Sequence, residues 1–119
     1  MKLIKQLFIF ISVSVLVACS NTVSAEDIET FQSYQSELEE KITMYATKKL
    51  SEDEILSHLN EFESFIQESA FPEELQNKQL EAIKLYKKGI KEDDSEKITQ
   101  AAILNYEAMN LFDELVEDI

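Results

Sequence analysis

Apolar side chains recur at intervals of three and four residues along most of the chain, a spacing that predicts amphipathic helices. The first predicted helix extends from Asp27 to about Lys49. Its apolar stripe is formed by Ile28, Phe31, Leu38, Ile42 and Tyr45. A second helix is expected to begin after Ser51, because Ser51 and Glu54 form a capping box, and to end near Ala70. Its inward positions are Ile55, Leu59, Phe62 and Ile66, flanked by Leu56 and Phe65.

The third predicted helix begins at Pro72, since proline lacks an amide hydrogen and is favoured in the first turn of a helix. Its inward positions are Leu75, Ala82, Ile83 and Tyr86. Two endings fit the sequence. Gly89 can adopt the left-handed conformation that terminates many helices, or the helix can continue through Gly89 to Glu92.

The fourth predicted helix extends from about Glu96 to Glu117, and either Asp94 or Ser95 can cap it. An apolar repeat runs along this helix at Ile98, Ala101, Asn105, Ala108, Phe112, Leu115 and Ile119. The repeat is widened by Leu104, Met109, Leu111 and Val116. The wide apolar arc predicts that this helix is the most buried of the four. Asn105 interrupts the repeat, and a polar residue at such a position typically fixes the register between helices.

Four helices joined by short connections predict an all-α fold, a small antiparallel bundle that forms one domain over residues 27–119. The alternative is a bundle of three helices in which the middle helix is kinked at Pro72. Glycine and proline occur once each, at Gly89 and Pro72, which is too few for the tight turns of a sheet of short strands.

The chain begins with two positive charges, Lys2 and Lys5, followed by an apolar run with two serines from Leu7 to Ala18. This layout is typical of a secretory signal. The run of 12 residues is shorter than the roughly 20 residues that a transmembrane helix needs. We therefore expect residues 1–18 to direct export and to be removed.

The sequence Leu16, Val17, Ala18 and Cys19 resembles the lipobox of bacterial lipoproteins. The resemblance covers only the leader. It implies a diacylglyceryl group, and hence fatty-acyl chains such as palmitate, on Cys19, cleavage before that residue by signal peptidase II, and a lipidated tether over residues 19–26. The protein would then lie on the extracytoplasmic face of the cell membrane. The Lys, Glu, Ile and Asn-rich composition, without Arg or Trp, is typical of an AT-rich Gram-positive genome.

A second cleavage site follows closely, because Val23, Ser24 and Ala25 are similar to the site of ordinary signal peptidase. Cleavage after Ala25 alone would release a soluble secreted helical protein. A further hypothesis concerns the leader itself, in which the segment from Ser12 to Ala18 resembles the hydrophobic mating pheromones released from some Gram-positive lipoprotein signals.

Charge and composition exclude several functions. The full chain has a net charge of −13, and because two of its 11 lysines lie in the leader, the remainder carries nine lysines against 24 carboxylates, or −15. Such a surface repels phosphate backbones, so we expect no nucleic-acid partner. We also expect no enzyme and no cofactor, since the sequence has no glycine-rich phosphate loop, no serine elbow and no second histidine beside His58.

His58 is the one candidate metal ligand with suitably spaced neighbours, Glu54 four residues before it and Glu61 three residues after it. Di-metal bundles need a second such motif, which is missing, so we predict no metal site and a solvated surface histidine. A dense acidic segment lies between the last two helices, at Glu92, Asp93, Asp94 and Glu96. We interpret it as a helix-capping connection, because it lacks the pattern of an EF-hand.

These observations favour a non-catalytic surface lipoprotein that serves as a binding or interaction module. The expected partners are the membrane, through the lipid on Cys19, and another envelope protein. Four apolar residues lie outside or at the margins of their stripes and are candidates for exposed contact residues: Tyr34, Met44, Phe71 and Ile103. The alternative is capture of divalent cations or a small ligand by the acidic bundle.

Overall fold

The computed structural model of the protein describes residues 23–118. It consists of four helices: α1 (Ala25–Ala46), α2 (Glu52–Glu68), α3 (Glu73–Glu92) and α4 (Ser95–Glu117). No strand occurs within this range. The predicted all-α four-helix bundle is confirmed, and the three-helix alternative is wrong because non-helical residues separate α2 from α3. The signal peptide, the lipobox and Cys19 lie outside the described residues.

Helix α1 begins two residues earlier and ends three residues earlier than predicted. Ser24 is its N-cap, and the Ser24 hydroxyl accepts a hydrogen bond from the amide of Asp27 at 3.0 Å. The helix stops at Ala46, since Lys48 takes the left-handed conformation with φ of 64° and turns the chain toward α2. The start of α1 therefore overlaps the segment that the sequence predicted as a tether.

The connection before α2 follows the predicted capping chemistry. The hydroxyl of Ser51 accepts a hydrogen bond from the amide of Glu54, and the Glu54 carboxylate accepts one from the amide of Ser51, each at 3.2 Å. This arrangement is the capping box that the sequence predicted. Helix α2 ends at Glu68, and Pro72 directly precedes α3, where no backbone amide hydrogen is needed.

Gly89 does not end α3, which continues to Glu92, so the prediction of a terminating glycine is wrong and its alternative is confirmed. Asp93 instead takes the left-handed conformation, with φ of 53°. Gly89 is needed for a different reason. A Cβ atom at this position would lie 2.8 Å from Ile98 Cγ1 and 3.0 Å from the Ile98 backbone nitrogen. The absence of a side chain thus lets α3 and α4 approach closely at this end of the bundle.

Helix α3, not α4, is the most buried helix. It buries seven residues: Leu75, Gln79, Ala82, Ile83, Tyr86, Gly89 and Ile90. Helix α4 buries four: Ala101, Asn105, Ala108 and Phe112. The apolar residues Ile98, Leu111, Leu115 and Val116 of α4 pack against the core but stay half-buried. Phe71 was predicted to be exposed but is 4% exposed, because the α2–α3 connection folds it onto the rings of Phe31 and Phe112.

Consecutive helices of the bundle pack side by side. The backbones of α3 and α4 lie closest together, while those of α1 and α4 stay further apart than any consecutive pair. Phe31 and Phe112 bridge this wider gap. No helix among the described residues has the length and apolar character needed to cross a membrane.

Candidate binding seam between the first and last helices

The wider gap between α1 and α4, which we call the seam, contains a cavity at each end. The Gln35 cavity, of about 300 Å³, is lined by Phe31, Gln32, Gln35, Ser36, Glu39, Met109, Phe112 and Asp113. The Tyr45 cavity, of about 540 Å³, is lined by Ile42, Tyr45, Ala46, Lys48, Leu50, Asp93, Ser95, Ile98 and Thr99. Only the first of these two cavities reaches buried residues, namely Phe31, Gln35 and Phe112.

A larger depression, of about 1000 Å³, runs along the outer face of α2 and is bordered by Lys87 and Lys91 of α3. Every residue that lines it is exposed or half-buried. Enclosure by buried side chains is what distinguishes a ligand pocket from a surface groove. The Gln35 cavity is therefore the better candidate site despite its smaller volume.

Three buried side-chain amides form a chain from the Gln35 cavity into the core. Gln35 Nε2 donates a hydrogen bond to Gln79 Oε1 at 2.7 Å, and Gln79 Nε2 donates to Asn105 Oδ1 at 2.8 Å. The Asn105 amide nitrogen lies 3.7 Å from the sulfur of Met109. The chain joins α1, α3 and α4. Asn105 thus makes the interhelical contact expected of a register-setting residue.

The carbonyl oxygen of Gln35 has no hydrogen-bond partner, although the side chain is only 5% exposed. It is the one buried side-chain nitrogen or oxygen atom in this state among residues 23–118. Reversing all three amides does not remove the vacancy, because the NH₂ group of Gln35 would then lack an acceptor. A buried polar group without a partner costs about 1–3 kcal/mol, so a group that enters the cavity and bonds to Gln35 gains that energy.

The charged groups that line the Gln35 cavity are all negative. Glu39 on α1 and Asp113 on α4 stand at its rim, and no lysine lines it. Glu39 also affects the core beside the cavity. Burial, assisted by the Glu39 carboxylate, raises the pKa of the Tyr86 phenol to about 12. The site thus offers hydrogen-bond acceptors and negative charge beside apolar walls.

A part of α4 with few charged residues borders the seam. Between Ile98 and Phe112 the sequence has one charged residue, Glu107, and Lys78 pairs with it at 3.1 Å. The two large apolar side chains of the described part that are mostly exposed both lie on this helix, Ile103 at 56% and Tyr106 at 65%. Exposure of Ile103 was predicted and is confirmed. Tyr106 lies one helical turn before Met109, which lines the Gln35 cavity.

Two of the other predicted contact residues, Tyr34 and Met44, are half-buried. Tyr34 stacks on Phe62, with ring centroids 5.0 Å apart, and on Phe65 at 5.3 Å. Met44 is likewise intermediate in exposure. Tyr34 therefore contributes mainly to the packing of α1 against α2.

His58 is buried, at 5% exposure, so the prediction of a solvated histidine is wrong. Its position one residue before Leu59 turns it toward α1, where its Nε2 lies 3.2 Å from the backbone oxygen of Tyr34. A carbonyl can only accept, so this nitrogen carries the hydrogen. The Nδ1 atom lies 3.7 Å from a carboxylate oxygen of Glu37. His58 thus links α1 to α2.

The structure gives the neighbours of His58 other roles. Glu54 closes the capping box with Ser51, and Glu61 is an exposed residue that borders depressions on both faces of α2. Within residues 23–118, no group of three or more His, Cys, Asp or Glu side chains is placed to hold a metal ion.

The acidic connection between α3 and α4 is a capping segment, as predicted. One carboxylate oxygen of Asp94 accepts hydrogen bonds from the amides of Glu96 at 3.0 Å and Lys97 at 3.3 Å. The Lys97 ammonium lies 3.0 Å from both Asp94 and Glu92. The hydrogen bond from the Lys97 side chain is the main reason why the pKa of Asp94 is lowered.

Gln35 and Gln79 were missed by the sequence reasoning. Both occupy positions on apolar stripes, since Gln35 lies between Phe31 and Leu38, and Gln79 lies between Leu75 and Ala82. A polar residue at a core position of each of three helices was the available signal, and only Asn105 was recognised.

No protein-family model, curated protein or solved structure matches this chain.

Proposed function

We propose that this chain is a small lipid-anchored protein on the extracytoplasmic face of the membrane, and that its helical bundle binds a protein partner without catalysing a reaction. The lipobox ending in Cys19 supports the anchor. The observation that carries the binding role is the Gln35 cavity, where the seam between α1 and α4 reaches the buried core.

The surface around the seam supports docking of a protein. The exposed side chains of Ile103 and Tyr106 lie on an almost uncharged part of α4, in a bundle whose remaining surface is strongly acidic. Exposed apolar and aromatic side chains on a charge-poor surface are typical of protein interfaces, with tyrosine among the residues that contribute most binding energy.

The capping of α1 supports cleavage before Cys19 over release after Ala25. Cleavage after Ala25 would remove the Ser24 hydroxyl that caps the helix. It would also place a new positive terminus at Glu26, at the positive end of the helix dipole. Cleavage before Cys19 retains the cap, so the proposed lipoprotein keeps α1 intact.

The anchor is tested by growing cells with a labelled fatty acid. We expect the wild-type protein to carry the label and to stay with the membrane fraction. The Cys19→Ser variant should carry none and accumulate with its leader attached, because the thiol is the site of lipid attachment. An Asn21→Ser variant is the matched control and should be labelled like wild type. An unlabelled wild-type protein of the size expected for cleavage after Ala25 would overturn the anchor.

The binding role is tested by photo-crosslinking in intact cells. A benzoylphenylalanine replaces Tyr106 beside the seam or, as the control, Gln67, an exposed residue on α2. We expect a discrete crosslinked protein from the first position and none from the second. Equal products from both positions, or none from either, would count against a partner at the seam.

A further inference from the structure

We infer that the Gln35 cavity receives the ammonium group of a lysine side chain that the partner presents. This inference rests on the proposed function, because it takes the seam as the surface that the partner contacts. It assigns the chemistry that the cavity recognises and the residues that recognise it.

The first argument is the unpaired acceptor. The Oε1 atom of Gln35 is buried without a hydrogen bond, while its Nε2 is already used by Gln79. The amide of Asn105 fixes the orientation of the chain, because its NH₂ group faces the sulfur of Met109, which can only accept a hydrogen bond. In this orientation the unpaired atom of Gln35 is an acceptor that lacks a donor. A group that completes this site must carry an N–H or O–H.

The second argument is charge. Glu39 and Asp113 come from opposite sides of the seam and line the same cavity as Gln35, with no basic residue among the lining side chains. Anionic ligands are repelled by this arrangement. An ammonium group has three donors and no acceptor, which matches three acceptor-bearing side chains on separate positions. A guanidinium donates in a planar fork that suits one carboxylate presenting both oxygens.

The third argument is the apolar wall. The rings of Phe31 and Phe112 and the thioether of Met109 line the cavity beneath the acidic rim. A lysine side chain packs its methylene stem on apolar surface while its charged head contacts polar groups. The cavity volume of about 300 Å³ leaves room for a four-carbon stem. An apolar wall, an acidic rim and an unpaired acceptor are the three features that the stem and the ammonium group of a lysine side chain can match.

The test uses n-butylammonium, the terminal part of a lysine side chain, as a probe. The processed chain, kept in nonionic detergent, is labelled with ¹⁵N, and the side-chain amides of Gln35 and Gln67 are followed at constant ionic strength. We expect saturable shifts at Gln35 with a dissociation constant on the order of 10 mM, as befits a ligand of five heavy atoms. Gln67, exposed on α2, should not shift.

Three further probes test which features of n-butylammonium the cavity recognises. Butanol offers a donor without charge, butyrate reverses the charge, and n-propylguanidinium replaces the ammonium by a fork. We expect each to bind at least about fivefold more weakly than n-butylammonium, the factor that corresponds to about 1 kcal/mol. Equal or tighter binding of any of the three would overturn the assignment to lysine.

Variants at the rim provide matched controls because each acidic residue has an exposed acidic neighbour outside the cavity. Glu39→Gln and Asp113→Asn should each weaken n-butylammonium binding about fivefold, as for an exposed ion pair. Glu40→Gln and Glu114→Gln, which remove the same charge, should leave it nearly unchanged. Gln35→Leu should weaken binding about tenfold by removing the acceptor; because this variant lacks the Gln35 amide, its binding is followed at the side-chain amide of Gln32, which lines the same cavity. If Glu40→Gln and Glu114→Gln weaken binding as much as the two rim variants do, the acidic surface attracts n-butylammonium in general, and the proposed site is wrong.

The proposed protein partner and the proposed lysine site can be refuted independently of each other. If crosslinking at position 106 captures a partner while n-butylammonium leaves Gln35 unperturbed, the lysine inference is wrong and the proposed binding function stands. If n-butylammonium binds as expected but no crosslink forms, the cavity is an ammonium site and the proposed protein partner is wrong.

Discussion

Phe31 of α1 stacks on Phe112 of α4, with ring centroids 4.2 Å apart and ring planes inclined by 21°. Both rings are buried, and both line the Gln35 cavity. The contact that holds the first helix against the last therefore also forms a wall of the candidate site. Changes to either ring will affect the stability of the bundle and the shape of the cavity together.

Replacing Phe112 by alanine tests the contribution of this contact. We expect Phe112→Ala to lower the free energy of unfolding by about 3–5 kcal/mol, because it removes the stacked ring and leaves a void beside Phe31 and Phe71. Urea unfolding followed by circular dichroism measures the change. Ile103→Ala, at an exposed position of the same helix, is the control and should stay within about 0.5 kcal/mol of wild type.

Replacing Gly89 by alanine tests the close approach of α3 and α4. Alanine favours a helix over glycine by about 1 kcal/mol, but its Cβ would lie within 3.0 Å of the Ile98 backbone. Overpacking typically costs about 1–3 kcal/mol, so after the gain in helix propensity we expect Gly89→Ala to be less stable by up to about 2 kcal/mol. Lys88→Ala, at the neighbouring exposed position, should change little. A stabilised Gly89→Ala protein would show that the two helices are free to separate.

The amide chain predicts a non-additive result. Gln79→Leu leaves both Gln35 Nε2 and Asn105 Oδ1 without partners, so we expect a loss of about 2–4 kcal/mol in the free energy of unfolding. The triple replacement of Gln35, Gln79 and Asn105 by leucine removes every member of the chain. It should recover most of that loss, because no buried polar group remains unpaired.

The measurement is the urea midpoint of each variant, with Gln67→Leu on the surface of α2 as the control for adding a leucine. A triple variant as unstable as Gln79→Leu alone would indicate that the amides contribute through shape and not through hydrogen bonding.

Tyr86 makes the stability depend on pH in the alkaline range. Its pKa is about 12 in the folded protein and about 10 when unfolded, so the unfolded chain loses the proton first. The contribution of Tyr86 is complete below pH 10 and falls as the pH rises through 12, by about 2–3 kcal/mol in total. Urea midpoints measured from pH 8 to 11.5 should fall less steeply for Tyr86→Phe than for wild type. Tyr106→Phe, at an exposed position, should retain the wild-type slope.

Local chemistry made the helix boundaries largely predictable. The hydroxyl of Ser51 and the carboxylate of Asp94 act within three residues of their own positions, so their capping roles can be read from the sequence. The role of Gly89 could not be decided from the sequence for the opposite reason. Its conformation is helical, and the requirement for glycine comes from Ile98 on another helix, which no local pattern reveals.

The polar residues of the core were harder to predict than the apolar ones. His58 and Gln35 are buried because side chains from other helices cover them, and burial of that kind depends on packing between helices. Phe71 illustrates the same point in a connection, where no periodicity applies and the chain folds back over the core. Gln35 is the buried polar residue of the candidate site, so the sequence alone indicated Asn105 but not the cavity.

The uneven burial of the helices sets the order in which the bundle opens. Helix α1 buries three side chains along 22 residues, whereas α3 buries seven along 20. Because local opening costs less where fewer contacts are broken, amide hydrogens of α1 exchange with solvent before those of α3. A partner docked on the seam touches α1 and α4 at once and adds contacts that this opening must break. Binding of a partner at the seam should therefore slow amide hydrogen exchange along α1, and this can be measured before the partner is identified.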